Sequence, residues 1–550
     1  MRFTITSTLP VAALLCAVPA AAQGQAPLPQ AQASQSDRSV DVTPYIEVSQ
    51  ILIAEFSPGD EVLTYTQLAA GVEASVQGRN NGGSVSLRYE RNIGYDDQSI
   101  DSDTISGVAR GYATIVPNAL TFEAGALAST TNVDGSGAST VNPLVSQGNS
   151  SQIYSGYAGP NVSARAGDVY INGLARVGYT RVETEADVAT ATGGADRLDV
   201  FDDSVTYQAN LQVATKAGEA LPVGLAVGGR IYQEDISNLD QRVRDMNVRG
   251  DVTVPVTSAL SVVGGVGYEK VEVSSRNALL DGAGDPVIDE DGRFVTDGSQ
   301  PRQIAFDVDG IIWDVGVVWR PSSRTALEAH VGRRYDSTTY YGSLAYAPSA
   351  RSSVNVSVYD GVAGFGGTLT NSLAALPTDF TASRNALTGD FDGCVAGDSG
   401  ANCVGGAFGS IRSATFRSRG VQASYSQQIG SRYNATIAAG YDRRKFLAAE
   451  GTVLAAANGL VDESIYATIG LNGQIGRNAS FALNAYGNRF DTQTNGGQTV
   501  TAVGGSAGYN RTIVPRLSAR AAVSLDHFDS DVSAEDITAA SGLVGLRYDF

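Results

Sequence analysis

The chain has 550 residues and a formal net charge of -19, with 57 Asp and Glu against 38 Lys and Arg. So acidic a balance excludes a nucleic-acid partner held by phosphate neutralisation. Mean hydropathy is close to zero at -0.06, which fits a soluble protein and a membrane-spanning barrel equally, because the lipid-facing residues of a barrel alternate with polar ones. Periodicity therefore has to decide between them.

The first residues carry one positive charge at Arg2, an apolar run from Leu9 to Val18, and small residues at Ala20, Ala21 and Ala22 before Gln23. This pattern predicts a secretory signal over residues 1–22 with cleavage after Ala22, and so an exported protein. Loss of Arg2 takes the charge from -19 to -20. Cys16 follows Leu15, where lipoprotein processing needs a small side chain, so no lipid anchor is expected. Beyond the signal there is no apolar run of the roughly 18 residues that a membrane helix requires. Residues 23–41, with Pro27 and Pro29, read as a flexible periplasmic leader.

From Val42 onward the sequence alternates with a period of two in runs of about 10 to 16 residues, the mark of strands with one apolar face. Ile105, Ala109, Ala113 and Ile115 oppose Ser106, Arg110 and Thr114. Val169, Ile171, Ala175, Val177 and Tyr179 oppose Asn172, Arg176 and Thr180, while Val205, Tyr207, Ala209, Leu211 and Val213 oppose Thr206, Gln208, Asn210 and Gln212. Between Ile304 and Trp319 the two tryptophans, Trp313 and Trp319, share a parity, and Trp319 abuts the turn at Pro321, which places it in a periplasmic aromatic girdle. Ile465, Ala467, Ile469 and Leu471 oppose Tyr466, Thr468, Asn472 and Gln474. The polar set, represented by Arg110, Arg176, Gln208, Asn210 and Asn472, is the candidate lining of a wetted lumen.

The last ten residues set Val544, Leu546, Tyr548 and Phe550 on one side and Leu543, Gly545, Arg547 and Asp549 on the other. An aromatic final residue with an apolar alternate face is a poor ending for a soluble domain, whose termini fray in water. It suits the closing strand of an outer-membrane barrel, with the lipid face serving as an insertion signal for the barrel-assembly machinery. Connections alternate in length. Short turns fall at 116–118, 165–168, 254–257, 320–323, 348–351, 430–432, 476–478 and 514–516, and long polar ones between them, the longest from Asp360 to Ile411. A sandwich has no reason to sort its loops in this way; a barrel with tight periplasmic turns and extended outer loops does. The expected fold is all-β: a single antiparallel transmembrane barrel over residues 42–550, of about 22 strands (range 18–24, even).

Little in the chain carries reaction chemistry, and no enzyme, cofactor or metal site is expected. Cys394 and Cys403 lie in the longest loop of an exported chain with no accompanying histidine, so they read as a disulfide. His527 stands beside Asp526, a pair that a hydrolase would use, but no nucleophile is in evidence and a rim histidine is the simpler reading. Asp281, Asp285, Asp289, Glu290, Asp291 and Asp297 offer hard oxygen ligands to Ca²⁺ without the spacing of a dedicated site, so a solvated outer loop is the default. Gly264, Gly265 and Gly267, and the stretch Gly361 to Gly367, read as glycines relieving crowding in a curved sheet.

The stretches Val42-Thr43-Pro44-Tyr45-Ile46-Glu47, Leu87-Arg88-Tyr89-Glu90-Arg91 with Tyr95, and Val116-Pro117-Asn118-Ala119-Leu120-Thr121-Phe122 resemble the porin-2-type outer-membrane barrels associated with exosortase (PEP-CTERM) and exopolysaccharide loci. The resemblance is clearest over residues 40–130. It implies an outer-membrane location and a link to surface polysaccharide. The leading expectation is a porin-like passive channel for small solutes or a secreted glycan; the alternative is a non-conducting structural or accessory barrel of exopolysaccharide export or envelope assembly. The expected partners are outer-membrane lipid, lipopolysaccharide, the barrel-assembly machinery and exopolysaccharide. A gated transporter of this strand number would need a large N-terminal plug, and only Gln23 to Asp41 precedes the first expected strand.

Overall fold

The structure is a computed structural model and describes residues 39–95, 102–133, 139–140, 150–184, 201–289, 293–397, 400–404, 411–493, 497–531 and 536–550. The signal segment and nearly all of the expected leader lie outside these residues, as do parts of the long connections after Val133, Thr184, Asp289, Gly397 and Val404. Ser39 to Asp41, expected in the leader, are strand.

The alternating runs form a closed antiparallel barrel of 22 strands, each paired with its sequence neighbours. The first strand, Ser39–Ser57, pairs with the last, Ile537–Asp549, in the register Ile46 to Tyr548, Val48 to Leu546 and Gln50 to Val544. Closure leaves the sheet no free edge within hydrocarbon, where an unpaired peptide group is costly. Alternation then assigns the faces. Val544 is 69% exposed and its neighbour Leu543 is 2% exposed. Val544, Leu546, Tyr548 and Phe550 join Ile46, Val48 and Leu52 on an outward apolar belt, while Leu543 packs inward on Ile51, Ile53 and Leu63.

The strands are joined by short turns at one end, such as Asn118, Gly167, Gly430, Gly476 and Arg516, each with positive φ, and mostly by longer connections at the other. The sorting has exceptions: residues 58–61 and 237–240 at the long-loop end are no longer than 256–259 at the other, where 216–223 is longer, and one hairpin is tighter still. At the long-loop end Tyr335 and Asp336, with φ of 55° and 51°, turn Thr325–Arg334 directly into Ser337–Ser349. Thr325–Arg334 has 10 residues and the preceding Gln303–Ser322 has 20, so pairing between them starts only at Trp313 with Arg333. The wall above this hairpin has a notch, closed by apolar packing of Phe306, Tyr335 and Val362 with Val271 and Val273.

A charge on the outward face near mid-strand should cost about 2–4 kcal/mol. Val544→Arg is therefore expected to lower the folded fraction in urea titrations read by heat-modifiable gel migration. Asn472→Arg, on an inward face, is expected to leave the midpoint within about 0.5 kcal/mol of the parent.

Candidate functional site

The longest connection, residues 364–415, begins where Ser352–Ala363 ends and turns into the barrel. Its first element is a helix, Phe365–Ala375, whose Phe365, Leu369 and Leu373 recur every fourth residue and so form one buried stripe. They pack on inward-facing Ile153, Val182, Phe201 and Ile236 of the wall, with the Phe201 and Phe365 rings 5.1 Å apart edge to face. No side chain caps the helix from within. Glu234 of the wall does so instead: its carboxylate accepts the N–H groups of Gly364 at 2.7 Å and Gly367 at 2.8 Å, and also the Tyr232 hydroxyl at 2.7 Å. A negative charge there satisfies two orphan donors and complements the helix dipole. A Cβ on Gly366 or Gly367 would collide with Ser204 or with Tyr232 and Glu234. These glycines, expected to relieve a curved sheet, instead let a helix N-terminus approach the wall.

Past the helix the chain descends. Asp379 accepts from Gln77, the last residue of Val62–Gln77 before a short turn, and the Phe380 N–H donates to Ser84 Oγ at 3.1 Å. A small sheet of Thr381–Arg384, Phe391–Gly397 and Gly400–Cys403 follows, with Cys394 and Cys403 joined as a disulfide. Arg384 donates to Ser86 at 2.8 Å and Ser106 at 3.1 Å, Arg520 to the Ala386 carbonyl at 3.0 Å, and Gln67 to the Thr388 carbonyl at 3.2 Å. The loop thus runs along the inner wall from the long-loop end almost to the short turns.

Beneath residues 386–390 lies a buried ion cluster. Arg88 donates to Glu47 at 3.0 Å and pairs with Glu90, Gln67 donates to Glu90, and Arg520 pairs with Glu47. Asp390 of the loop sits over it with one carboxylate oxygen unpartnered. Burial, opposed by hydrogen bonds and by Arg88 and Arg384, pushes its carboxyl up to about 6. Away from the loop, inward charges pair among themselves. Arg334 pairs with Asp245 and Glu269, Arg249 with Asp314 at 2.6 Å, and His330 lies 3.1 Å from both Asp314 and Glu328, stacked on Tyr341.

The predicted lumen residues fall in two places. Arg110 and Arg176 meet at Glu123, at 3.4 Å and 3.3 Å, with Arg110 donating to the Tyr157 hydroxyl. Gln208 stands opposite Arg176, and Asn210 opposite Leu174 and Arg230. Asn472 is apart, on Val461–Ile475, sharing the face of buried Asp462. Trp319 and Trp313 lie on the outward face, with Trp319 at the short-turn end opposite Leu260 and Leu327. His527 bonds Thr538 at 2.9 Å whereas Asp526 bonds Tyr486 and Ser524, so the two adjacent residues face opposite sides. Asp281, Asp289 and Asp297 accept N–H groups within their own turns; Glu290 and Asp291 lie outside the described residues. Glu234, Arg88 and Glu47 were not singled out by the sequence, although each is a charge at an inward position of its strand.

No family model matches the chain, and no curated protein matches it. Among solved structures it is similar to the FrpB iron transporter (F5-1 variant) of Neisseria meningitidis, with 10% identity, 93% of this chain and 83% of that chain covered and a TM-score of 0.43. It is also similar to the siderophore receptor PiuA of Acinetobacter baumannii, with 10% identity over 92% of this chain and 82% of that chain and a TM-score of 0.40. The copper transporter OprC gives 12% identity over 92% and 81%, with a TM-score of 0.38.

Because Asp390 holds its proton more tightly in the seated loop than in a free one, where it would titrate near 3.8, its contribution to seating is greatest below about pH 4 and is lost as pH rises through about 6. Limited proteolysis of the loop in detergent should accelerate between pH 5 and pH 7.5, several-fold more in the parent than in Asp390→Asn. Equal pH responses would refute this role.

Proposed function

We propose that the protein is a passive channel of the outer membrane for small polar solutes, narrowed by residues 364–415. The observation that supports this most is the asymmetry of the lumen. The inserted loop packs most heavily on the strands from Ser39–Ser57 to Gly224–Ile236 and meets Val461–Ile475 at its long-loop end, where Arg412 pairs with Asp462 at 3.3 Å, while Asn472 and Gln474, toward the short turns of that strand, share its inward parity and are exposed. A barrel of this strand number is wide enough for an aqueous path beside such a loop. Paired inward charges of both signs favour weak ion selectivity, and size is then the main filter. The outward belt of Val544, Leu546, Tyr548 and Phe550 would be the signal read by the barrel-assembly machinery.

A second reading, a non-conducting accessory barrel of polysaccharide export, draws on the extent of the seal. The helix and the disulfide-linked sheet bury Leu369, Leu373, Phe380, Phe391 and Val395 against the wall, more apolar contact than a loosely held constriction needs. Planar-bilayer recording separates the two. Discrete steady steps from the parent protein, and a several-fold larger step after replacing residues 366–409 by a short Gly-Ser linker, are the outcome expected of a channel. A folded barrel that stays silent, and conducts only when the loop is removed, would overturn it in favour of the accessory role.

A further inference from the structure

The outward face above the apolar belt carries an arrangement of charge that the channel reading does not use. On Phe416–Ile429 and Tyr433–Phe446 the inward residues Ser418, Asp442, Arg444 and Phe446 are buried, so alternation turns Arg417, Arg419, Arg443 and Lys445 outward. Register sets Arg417 directly opposite Lys445, and Arg419 directly opposite Arg443. Among the described strand pairings these are the only places where two cations face each other, and like charges so placed are destabilising. Two carboxylates share the face. Asp360 reaches Arg417 at 2.7 Å and Arg419 at 3.2 Å, and Glu463 reaches Arg443 at 3.3 Å. Four cations against two anions leave two positive charges in excess on a chain whose net charge is -19. Arg417 is largely enclosed against the Tyr335 ring at the notch, but Arg443 is 41% exposed and Lys445 is exposed.

Directly toward the short-turn end these two strands and their neighbour Val461–Ile475 present Val421, Tyr441, Ile437, Ile465 and Ile469 outward, and of these all but Tyr441 are exposed. A cationic square therefore sits on top of an oily surface, at the level where headgroups give way to acyl chains. We propose that this face binds a phosphorylated lipid headgroup of the leaflet on the long-loop side, with its acyl chains lying on that belt. Phosphate oxygens placed among Arg419, Arg443 and Lys445 relieve the cross-strand repulsion, and guanidinium groups suit them through paired, charge-assisted hydrogen bonds. Of the flanking charges, Arg489 is paired with Asp491 and Arg333 with Asp336, and the exposed carboxylates Asp529, Asp531 and Asp536 stand further along the face, beyond Arg489. The proposal rests on the reading of the barrel as membrane-spanning, which heat-modifiable migration of the purified protein checks separately.

The test uses full-length folded barrel in detergent, with bis-phosphorylated lipid A, its dephosphorylated form and inorganic phosphate as probes, and native mass spectrometry as the readout. The parent should retain bis-phosphorylated lipid A, and Arg443→Gln/Lys445→Gln should bind it about tenfold more weakly or worse. Lys445→Gln alone, at an exposed position, should weaken binding in the same direction, while Lys270→Gln on another part of the outward rim should not. In lipid-free detergent Lys445→Gln should be at least as stable as the parent, since it removes the repulsion from Arg417 and leaves the Arg443–Glu463 pair in place. Unchanged affinity in the variants, equal binding of dephosphorylated lipid, displacement of the lipid by millimolar inorganic phosphate, or a Lys445→Gln protein destabilised without lipid would each overturn the proposal.

Discussion

The structure depends first on the pairing of Ser39–Ser57 with Ile537–Asp549. In hydrocarbon a peptide group without a partner has no water to turn to, so a spanning sheet must close on itself. Closure fixes register, and register fixes every face. A slip by one residue along the seam would carry Glu47, buried with Arg88 and Arg520, into lipid and bring Ile46 and Val48 into the lumen. The aromatic ending belongs to the same constraint, because Tyr548 stands opposite Ile46 and its ring meets that of Phe550 edge to face at 5.1 Å.

Closing so many strands creates a second demand, since the resulting lumen is too wide for side chains alone to fill. The chain meets it with one connection and prepares the wall to receive it. Val108, Leu127, Ile153, Val182 and Phe201 occupy inward positions that a water-filled channel would give to polar residues, and they form one cluster with Phe365, Leu369 and Leu373 of the loop. At the loop's entry Glu234 supplies the acceptor that the helix lacks in its own sequence. The wall and the loop are therefore complementary at both apolar and polar positions.

What was legible in the sequence follows from this. Alternation such as Val205 to Val213 against Thr206 to Gln212 is local, obeys a period of two, and gave the strands, their faces and a number near 22. The sorting of turns by length gave the barrel. The insertion of the loop was not legible, because it depends on contacts between residues far apart in the chain, such as Glu234 with Gly367 or Arg384 with Ser86. Its helix is short and opens on glycines, features that argue for a bend when neighbours are unknown. A signal did exist in Val108, Ile153 and Val182, whose apolar character at inward parity marks a covered wall. The hairpin at Tyr335 and Asp336 was hidden for another reason: a two-residue turn at the long-loop end, built without glycine, looks like continuous strand.

The two faces handle charge differently, and the contrast follows from dielectric. Inside, Arg88, Arg249 and Arg334 each find carboxylates within hydrogen-bonding distance, because an unpaired charge in an enclosed site is far more costly than a paired one. Buried pairs of this kind add little stability over well-packed apolar residues. Their presence under residues 386–390, beside an apolar cluster that would hold the loop well enough, is therefore better explained by what the wall must be when the loop is not on it. An oily wall uncovered in a wetted lumen would be driven to cover itself again, whereas Glu47 and Glu90 are already paired with Arg88 and Arg520 and can take up water. The seat is apolar under the helix and mixed under residues 386–390, where Ala386 and Leu387 pack on Ile51, Ile53 and Leu543 while Asp390 lies over charges already paired without it.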